Sequence, residues 1–359
     1  MLDIIGIGCL NLDLTATSEK INALLPDRVR KAMRLLDYGA ERPADLNDIK
    51  NIISLLGTGS FRAALGGSAF NTVHAIAALQ ADLKTGYVGV AGRTDRSGLN
   101  FVELMLDSAI DHRYVGVSPD RHSGLCICIN YDGTRSLLFN PGSNDKMAEH
   151  LQKNYREILT YLINARLLHI TPFTDDRTPV ILARLLQEAK RRNPLIKISC
   201  DPGHSWSKNL TPAVISILKL ADCLFVNTNE FTLLGGGEPD TQDCEIAGRI
   251  FTQYALFGTL LIVKKEAEIK LYCRYDLQIS EQIFDIKVIG NEEISDATGA
   301  GDVFAAGFLT VQLLKGMSTP AAVELGMRFM RAKLTAPPEQ LYSDLARIYS
   351  TFLCQAPEC

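Results

Sequence analysis

Short apolar runs alternate along this chain with stretches whose hydrophobic positions recur at helical spacing. The runs at 4–7, 85–90, 125–130, 137–139, 167–170, 196–200, 223–226 and 259–263 read as strands. Between them the spacing predicts helices over 68–79, 98–108, 178–191, 212–218 and 244–254. Near-continuous apolar strands separated by amphipathic helices are what a largely parallel sheet requires, because helices then cover both of its faces. Thr178-Pro179 and Thr211-Pro212 each read as an N-cap followed by proline at the first helical position. The expected fold class is therefore α/β.

One segment breaks the rhythm. From Thr15 to Arg62 the chain is more polar and reads as two helices, 19–25 and 45–56, around the loop 37–43. Long insertions of this kind are lids or oligomer contacts. With strands from about 114–139 it is expected to form a small lid. The implied organisation is a first strand in 1–14, the insertion at 15–62, a main α/β domain over 63–338, and a C-terminal helix (341–352) and tail in 339–359. A helical lid suits a monomer and a sheet-like lid a homodimer.

Composition narrows the class. Of 359 residues 47% are hydrophobic and 22% charged, and the net charge of −4 comes without any basic stripe. Nucleic-acid and membrane-surface partners are not expected. No apolar run reaches membrane-spanning length. Nine cysteines include no C-x-x-C pair, and the odd count without a secretion signal points to a reducing, cytoplasmic setting.

The chemistry is concentrated in Asp296-Ala297-Thr298-Gly299-Ala300-Gly301-Asp302, followed by the apolar run 303–314. A glycine-rich helix start presents unpaired N–H groups to an anion, and the helix dipole favours negative charge there. A carboxylate in the same turn repels that anion unless it has a task. Phosphoryl transfer supplies one: the amides of Gly299, Ala300 and Gly301 hold the transferring phosphate while Asp302 takes the proton of the attacking hydroxyl. Near a helix N-terminus, Asp302 is expected to be ionised at pH 7. Thr298 shapes the turn.

Three further stretches join it. Gly66-Gly67-Ser68 leads into a helix carrying Asn71, with Ser68 read as the cap, and Asn71 can donate to and accept from a sugar hydroxyl. Asn11 and Asp13, just past the first strand, project to one side and can read a polyol. Asn227 and Glu230 stand at a strand end with a spacing that suits a Mg²⁺–water shell, although by spacing alone a helix capping box is the better reading. Asp132-Gly133-Thr134-Arg135 reads as a hairpin turn delivering an arginine to a phosphate or simply to solvent.

In this order the residues resemble the ribokinase-like (PfkB) carbohydrate and nucleoside kinases, from Ile4 to about Leu334. The resemblance implies a three-layer α/β/α sandwich with a mostly parallel central sheet and a small lid. It implies Asp302 as base, an anion hole at Gly299, Ala300 and Gly301, and acceptor binding by Asn11, Asp13, Gly66, Gly67 and Asn71. Asn227, Glu230, Lys264 and Thr298 are implied on the ATP side, with Glu230 reaching Mg²⁺ through water and Asp296 beside a monovalent-cation (K⁺) site. The 15–62 insertion and the 123–137 pattern look most like adenosine kinases, in which an arginine at the Arg135 position approaches the phosphate.

Three departures stand out. The stretch 262–268 has no glycine where the family carries Thr-x-Gly-x-x-Gly, and Asp201-Pro202-Gly203-His204-Ser205 replaces Asp-x-Asn-x-Arg. The segment 327–333, near where adenine is expected, is also bulky. The leading reading is an ATP-dependent kinase of a nucleoside or sugar primary hydroxyl. A regulatory binding module with weakened turnover is the alternative, and a dinucleotide oxidoreductase is disfavoured because Gly6-Ile-Gly8-Cys-Leu-Asn11 lacks the third glycine of that fingerprint.

Overall fold

The computed structural model describes residues 1–359 except 17, 37–40, 97, 132–133, 239–240, 257, 277, 291–292, 295 and 356–359. Its strands, in chain order, are β1 Leu2–Ile7, β2 Asn11–Ala16, β3 Glu41–Pro43, β4 Arg62–Gly66, β5 Thr85–Arg93, β6 Asp111–His122 and β7 Gly124–Tyr131. They continue as β8 Thr134–Asn140, β9 Ala165–Ile170, β10 Lys197–Cys200, β11 Cys223–Asn227, β12 Leu260–Lys264, β13 Glu268–Tyr275 and β14 Gln278–Asp285.

Nine strands form the large sheet, in the order β14-β13-β12-β11-β10-β9-β1-β5-β6. From β12 to β6 every pairing is parallel, and β13 alone runs against its neighbours. The period-two alternation of side chains divides the core into two layers. Ile5, Ile7, Leu224 and Val226 pack under helices that include Arg177–Arg192 and Asp243–Gln253. Ile4, Cys223 and Phe225 face the helices Ser68–Ala78, Ala300–Leu309, Thr319–Thr335 and Leu341–Gln355. Phe225 meets Phe308 edge-on at 5.5 Å, and each such buried ring contributes roughly 1.5–3 kcal/mol by area. This is the expected three-layer α/β/α architecture.

Register aligns the carboxyl ends of the strands: Ile7 pairs with Ile170, Ile170 with Cys200, and Asn227 with Lys264. The chain runs from β1 to β5 and β6 on one side, then returns to β9 on the other. Ligands of open α/β sheets bind at that kind of reversal, beyond the carboxyl ends.

The second sheet has the order β3-β8-β7-β2-β4. Leu12, Leu14, Ile127, Ile129 and Leu138 point to one side of it, under the helices Ser18–Asn22, Pro26–Leu36 and Leu46–Leu56. Asn11, Asp13 and Thr15 point to the other side. Only residues 8–10 connect β1 to β2, so the two sheets meet at a short crossing.

Local differences from the sequence reading have physical causes. The 15–62 insertion contains three described helices rather than two; Pro26–Leu36 is so basic that its apolar stripe of Val29, Ala32 and Leu36 is sparse. Residues 37–40 of the expected loop lie outside the described residues. β6 pairs with β5 along the large sheet rather than joining β7 and β8. Thr178 is not a cap: the helix starts at Arg177, and Asp175 Oδ1 accepts from the Arg177 and Thr178 N–H groups at 2.9 and 2.7 Å. Thr211 is a cap, accepting from Val214 N–H.

Candidate active site

The helix Ala300–Leu309 begins at the carboxyl edge of the large sheet, packed against Ser68–Ala78. Gly299 is its N-cap, with φ +79, a conformation glycine adopts without strain. The first intrahelical bond runs from Val303 N–H to Gly299 O at 3.0 Å, so the N–H groups of Gly301 and Asp302 are left over at the helix start. Asp302 stands at the third helical position.

Asn71 fixes the Asp302 carboxylate by donating from Nδ2 to Oδ2 at 2.9 Å, while Thr72 Oγ1 donates to the Asp302 carbonyl at 3.0 Å. Burial pushes the Asp302 carboxyl up to about 6, opposed by hydrogen bonds from Asn71 and Ser68 and by the Lys264 charge. The expected effect of the helix start is therefore outweighed by desolvation, yet the group is still mostly ionised at pH 7. Ser68 is not the cap, since Gly67 holds that position and Ser68 bonds Asp302 instead. Tyr342 lies close enough that burial and the Asp302 charge push its hydroxyl up to about 12.

Both glycines of the pair are required by contacts. A Cβ on Gly66 would stand 2.0 Å from Asp13 Oδ2, and one on Gly67, at φ +118, would stand 2.1 Å from the Cys9 carbonyl oxygen. Asn11 is oriented by buried Asn144, whose Nδ2 donates to Asn11 Oδ1 at 3.0 Å while its Oδ1 accepts from Leu10 N–H at 2.9 Å. Asn11 and Ser68 line a cavity of about 220 Å³ that Phe139 and His204 also border. Asp13, Asn71, Thr298 and Gly299 line another of about 640 Å³. Asn71 and Ser68, one lining each cavity, are also the residues that bond the Asp302 carboxylate.

On the opposite side, Asn227 and Glu230 form a capping box: Glu230 N–H donates to Asn227 Oδ1 and Asn227 N–H to Glu230 Oε2, both at 2.9 Å. Lys264, at the end of β12, donates to Asp201 Oδ2 at 3.0 Å. Burial disfavours its charge, but Asp201 and Glu230 outweigh that and hold the ammonium above its usual range. Lys264 Nζ would stand 3.0 Å from a Cβ on Gly301, so a fixed positive charge flanks the helix start. No cluster of three or more His, Cys, Asp or Glu suited to a metal occurs among the described residues. Glu230 is buried with one oxygen engaged by backbone, which fits a metal only through water.

Residues 53–341 match the family model described as pfkB family carbohydrate kinase. The chain belongs to this family.

As a pfkB family member it is a carbohydrate or nucleoside kinase by class. It is 25% identical over 275 residues to a probable chloroplastic fructokinase of Arabidopsis thaliana, a match covering 74% of this chain and 66%, just under two thirds, of that protein. It is also 25% identical to an adenosine kinase of Schizosaccharomyces pombe, over 73% of this chain and 76% of the relative. The fold is that of a solved Anopheles gambiae adenosine kinase, with a TM-score of 0.78 at 18% identity, covering 95% of this chain and 98% of that one.

This pfkB chain departs from expectation at Asp296. Lys333 Nζ donates to Asp296 Oδ2 at 2.9 Å and to its carbonyl oxygen at 3.1 Å, Arg62 also donates to Oδ2, and Thr298 N–H donates to Oδ1 at 2.9 Å. With those acceptors taken, a monovalent cation does not fit at Asp296. The two cations and Thr298 N–H outweigh burial and hold the carboxyl below its usual range. Thr298 Oγ1 also touches Cys128 Sγ of β7 at 3.5 Å.

Arg135 lies on β8, its backbone opposite Asn130; its side chain and the turn residues Asp132 and Gly133 lie outside the described part. Sequence reading missed Asn144, Asp201, Arg62, Lys333 and Tyr342 as site residues. Each acts through a contact distant in sequence, and only Asp201, at a strand's carboxyl end, carried a positional signal.

Proposed function

We propose that this pfkB family member transfers the γ-phosphoryl group of ATP to a primary hydroxyl of a nucleoside or sugar. The observation that carries this reading is the Asp302 carboxylate, fixed by Asn71 at a helix start whose amides and neighbouring Lys264 ammonium suit a phosphate. Asp302 accepts the hydroxyl proton as the oxygen attacks phosphorus, and a carboxyl near 6 is placed to do so at neutral pH. The Ala300 N–H is held by the Ala297 carbonyl at 3.2 Å, so the amides left over at the helix start, that of Gly301 first, and Lys264 stabilise charge on the equatorial oxygens. Asn11, Asp13 and Asn71 orient the acceptor, and the small sheet acts as a lid that excludes water. Mg²⁺, held through water by Glu230 and Asn227, would neutralise charge on the ATP phosphates.

The acceptor is proposed to be adenosine-like. The 15–62 insertion and the likeness to adenosine kinases support this. Product formation from ATP with adenosine, inosine, cytidine, ribose and fructose 6-phosphate tests it: turnover of a nucleoside supports the reading, and turnover of fructose 6-phosphate alone overturns the adenosine-like choice. A binding module with weakened turnover is favoured by one observation. The turn after β12 is a tight charged hairpin, Lys264 opposite Ile269 with Lys265 and Lys270 paired to Asp243, rather than an open glycine loop. No product with any acceptor, at preserved ATP binding, would establish that second reading.

A further inference from the structure

One ammonium serves two oxygens of a single residue beneath the phosphate-side turn. Lys333 Nζ reaches both the carboxylate (2.9 Å) and the carbonyl oxygen (3.1 Å) of Asp296, so one cationic centre bridges two oxygens. The pair is withdrawn from water, with Lys333 12% and Asp296 6% exposed. Lys333 sits in the last turn of the helix Thr319–Thr335, where the helix dipole favours a cation. That helix packs so closely on Ala300–Leu309 that a Cβ on Gly307 would stand 3.0 Å from Gly326 backbone atoms. The ammonium is thus fixed relative to the turn, not carried on a free arm.

We propose that Lys333 is a built-in substitute for a monovalent cation. Its charge, beside that of the more exposed Arg62, holds Asp296, and through Asp296 Oδ1 and Thr298 N–H it holds the 296–299 turn in anion-binding shape with no alkali ion from solution. A solution cation fills its site only as its concentration allows, whereas a tethered ammonium is always present. Lys333 is a positioning residue: it acts on the turn through Asp296. The claim rests on reading that turn as the phosphate site.

The test compares wild type, Lys333→Ala and Lys333→Met in tetramethylammonium, K⁺ and NH₄⁺ salts at equal ionic strength. Wild-type turnover is expected to vary by less than about twofold, while Lys333→Ala loses about tenfold or more in tetramethylammonium with a raised KM for ATP. K⁺ or NH₄⁺ should restore most of that loss in Lys333→Ala but not in Lys333→Met, whose side chain fills the space without charge. Lost packing alone produces no such ion-selective rescue. Wild-type stimulation by K⁺ of about tenfold or more, or an alanine loss that neither ion restores, overturns the proposal. Thermal unfolding gives a readout free of turnover: K⁺ should raise the melting temperature of Lys333→Ala and leave wild type unchanged. If the wild type makes no product with any acceptor, the kinase reading fails, whereas the cation claim stands or falls on this unfolding shift. Should Lys333→Ala not fold, the wild-type K⁺ response decides alone.

Discussion

Asp302 faces two opposed demands, and its environment resolves them at a measurable pH. The carboxyl must lose a proton to act as base, while burial pushes it up to about 6. We expect kcat/KM to rise with pH through about 6 and to level above it; a profile flat from pH 5 to 8 would remove Asp302 from the base role. The same shift bears on stability. A carboxyl raised in the folded state binds protons that the unfolded chain has released, so stability falls as pH rises from about 4 to 6. Asp302→Asn should therefore lose about a hundredfold or more in turnover yet gain up to about 3 kcal/mol of stability at pH 7. That gain should vanish toward pH 4 in urea titrations. A variant keeping turnover within about tenfold of wild type would contradict the assignment.

At the scale of elements, two helix starts meet face to face. Ser68–Ala78 and Ala300–Leu309 each open on a positive-φ glycine, and Asn71 of one bonds Asp302 of the other. Gly67→Ala places a methyl group against the Cys9 carbonyl at an unfavourable φ. It should destabilise the fold by about 1–3 kcal/mol and raise the acceptor KM more than the ATP KM. Equal effects on both constants would count against Gly67 as part of the acceptor side. These helix starts were legible beforehand because glycine, small polar residues and an apolar run are local signals. Their meeting was not, since 231 residues separate Asn71 from Asp302. Lys333 was illegible for the same reason: near the end of a helix a lysine is ordinary, and only the fold brings it to Asp296. The large sheet's central parallel strands were readable as continuous apolar runs, whereas β6, polar and read as part of the lid, and β14, largely exposed and polar, had no such pattern.

At the scale of the whole molecule, the described apolar residues of the small sheet's outer face are already covered within the chain. Helices cover its outer side, burying Leu12, Leu14, Ile127 and Ile129, and its inner side meets the large sheet through Arg62–Asp296 and Thr298–Cys128. We therefore expect a monomer near 39.4 kDa by light scattering; a stable dimer at micromolar concentration would refute this. No helix among the described residues is long and apolar enough to cross a membrane.

The short crossing from β1 to β2 has one more consequence. Asn11 and Asp13 travel with the small sheet, while Asp302, Lys264 and Asp201 are anchored at the rim of the large one. On the proposed reading, these two acceptor-side residues are thus inherited on a different framework from the base, whereas Asn71 stays on the helix beside it. On that reading, mutational drift along the inner face of β2, β7 and β8 can change which acceptor is admitted while the Asp302 carboxylate stays untouched.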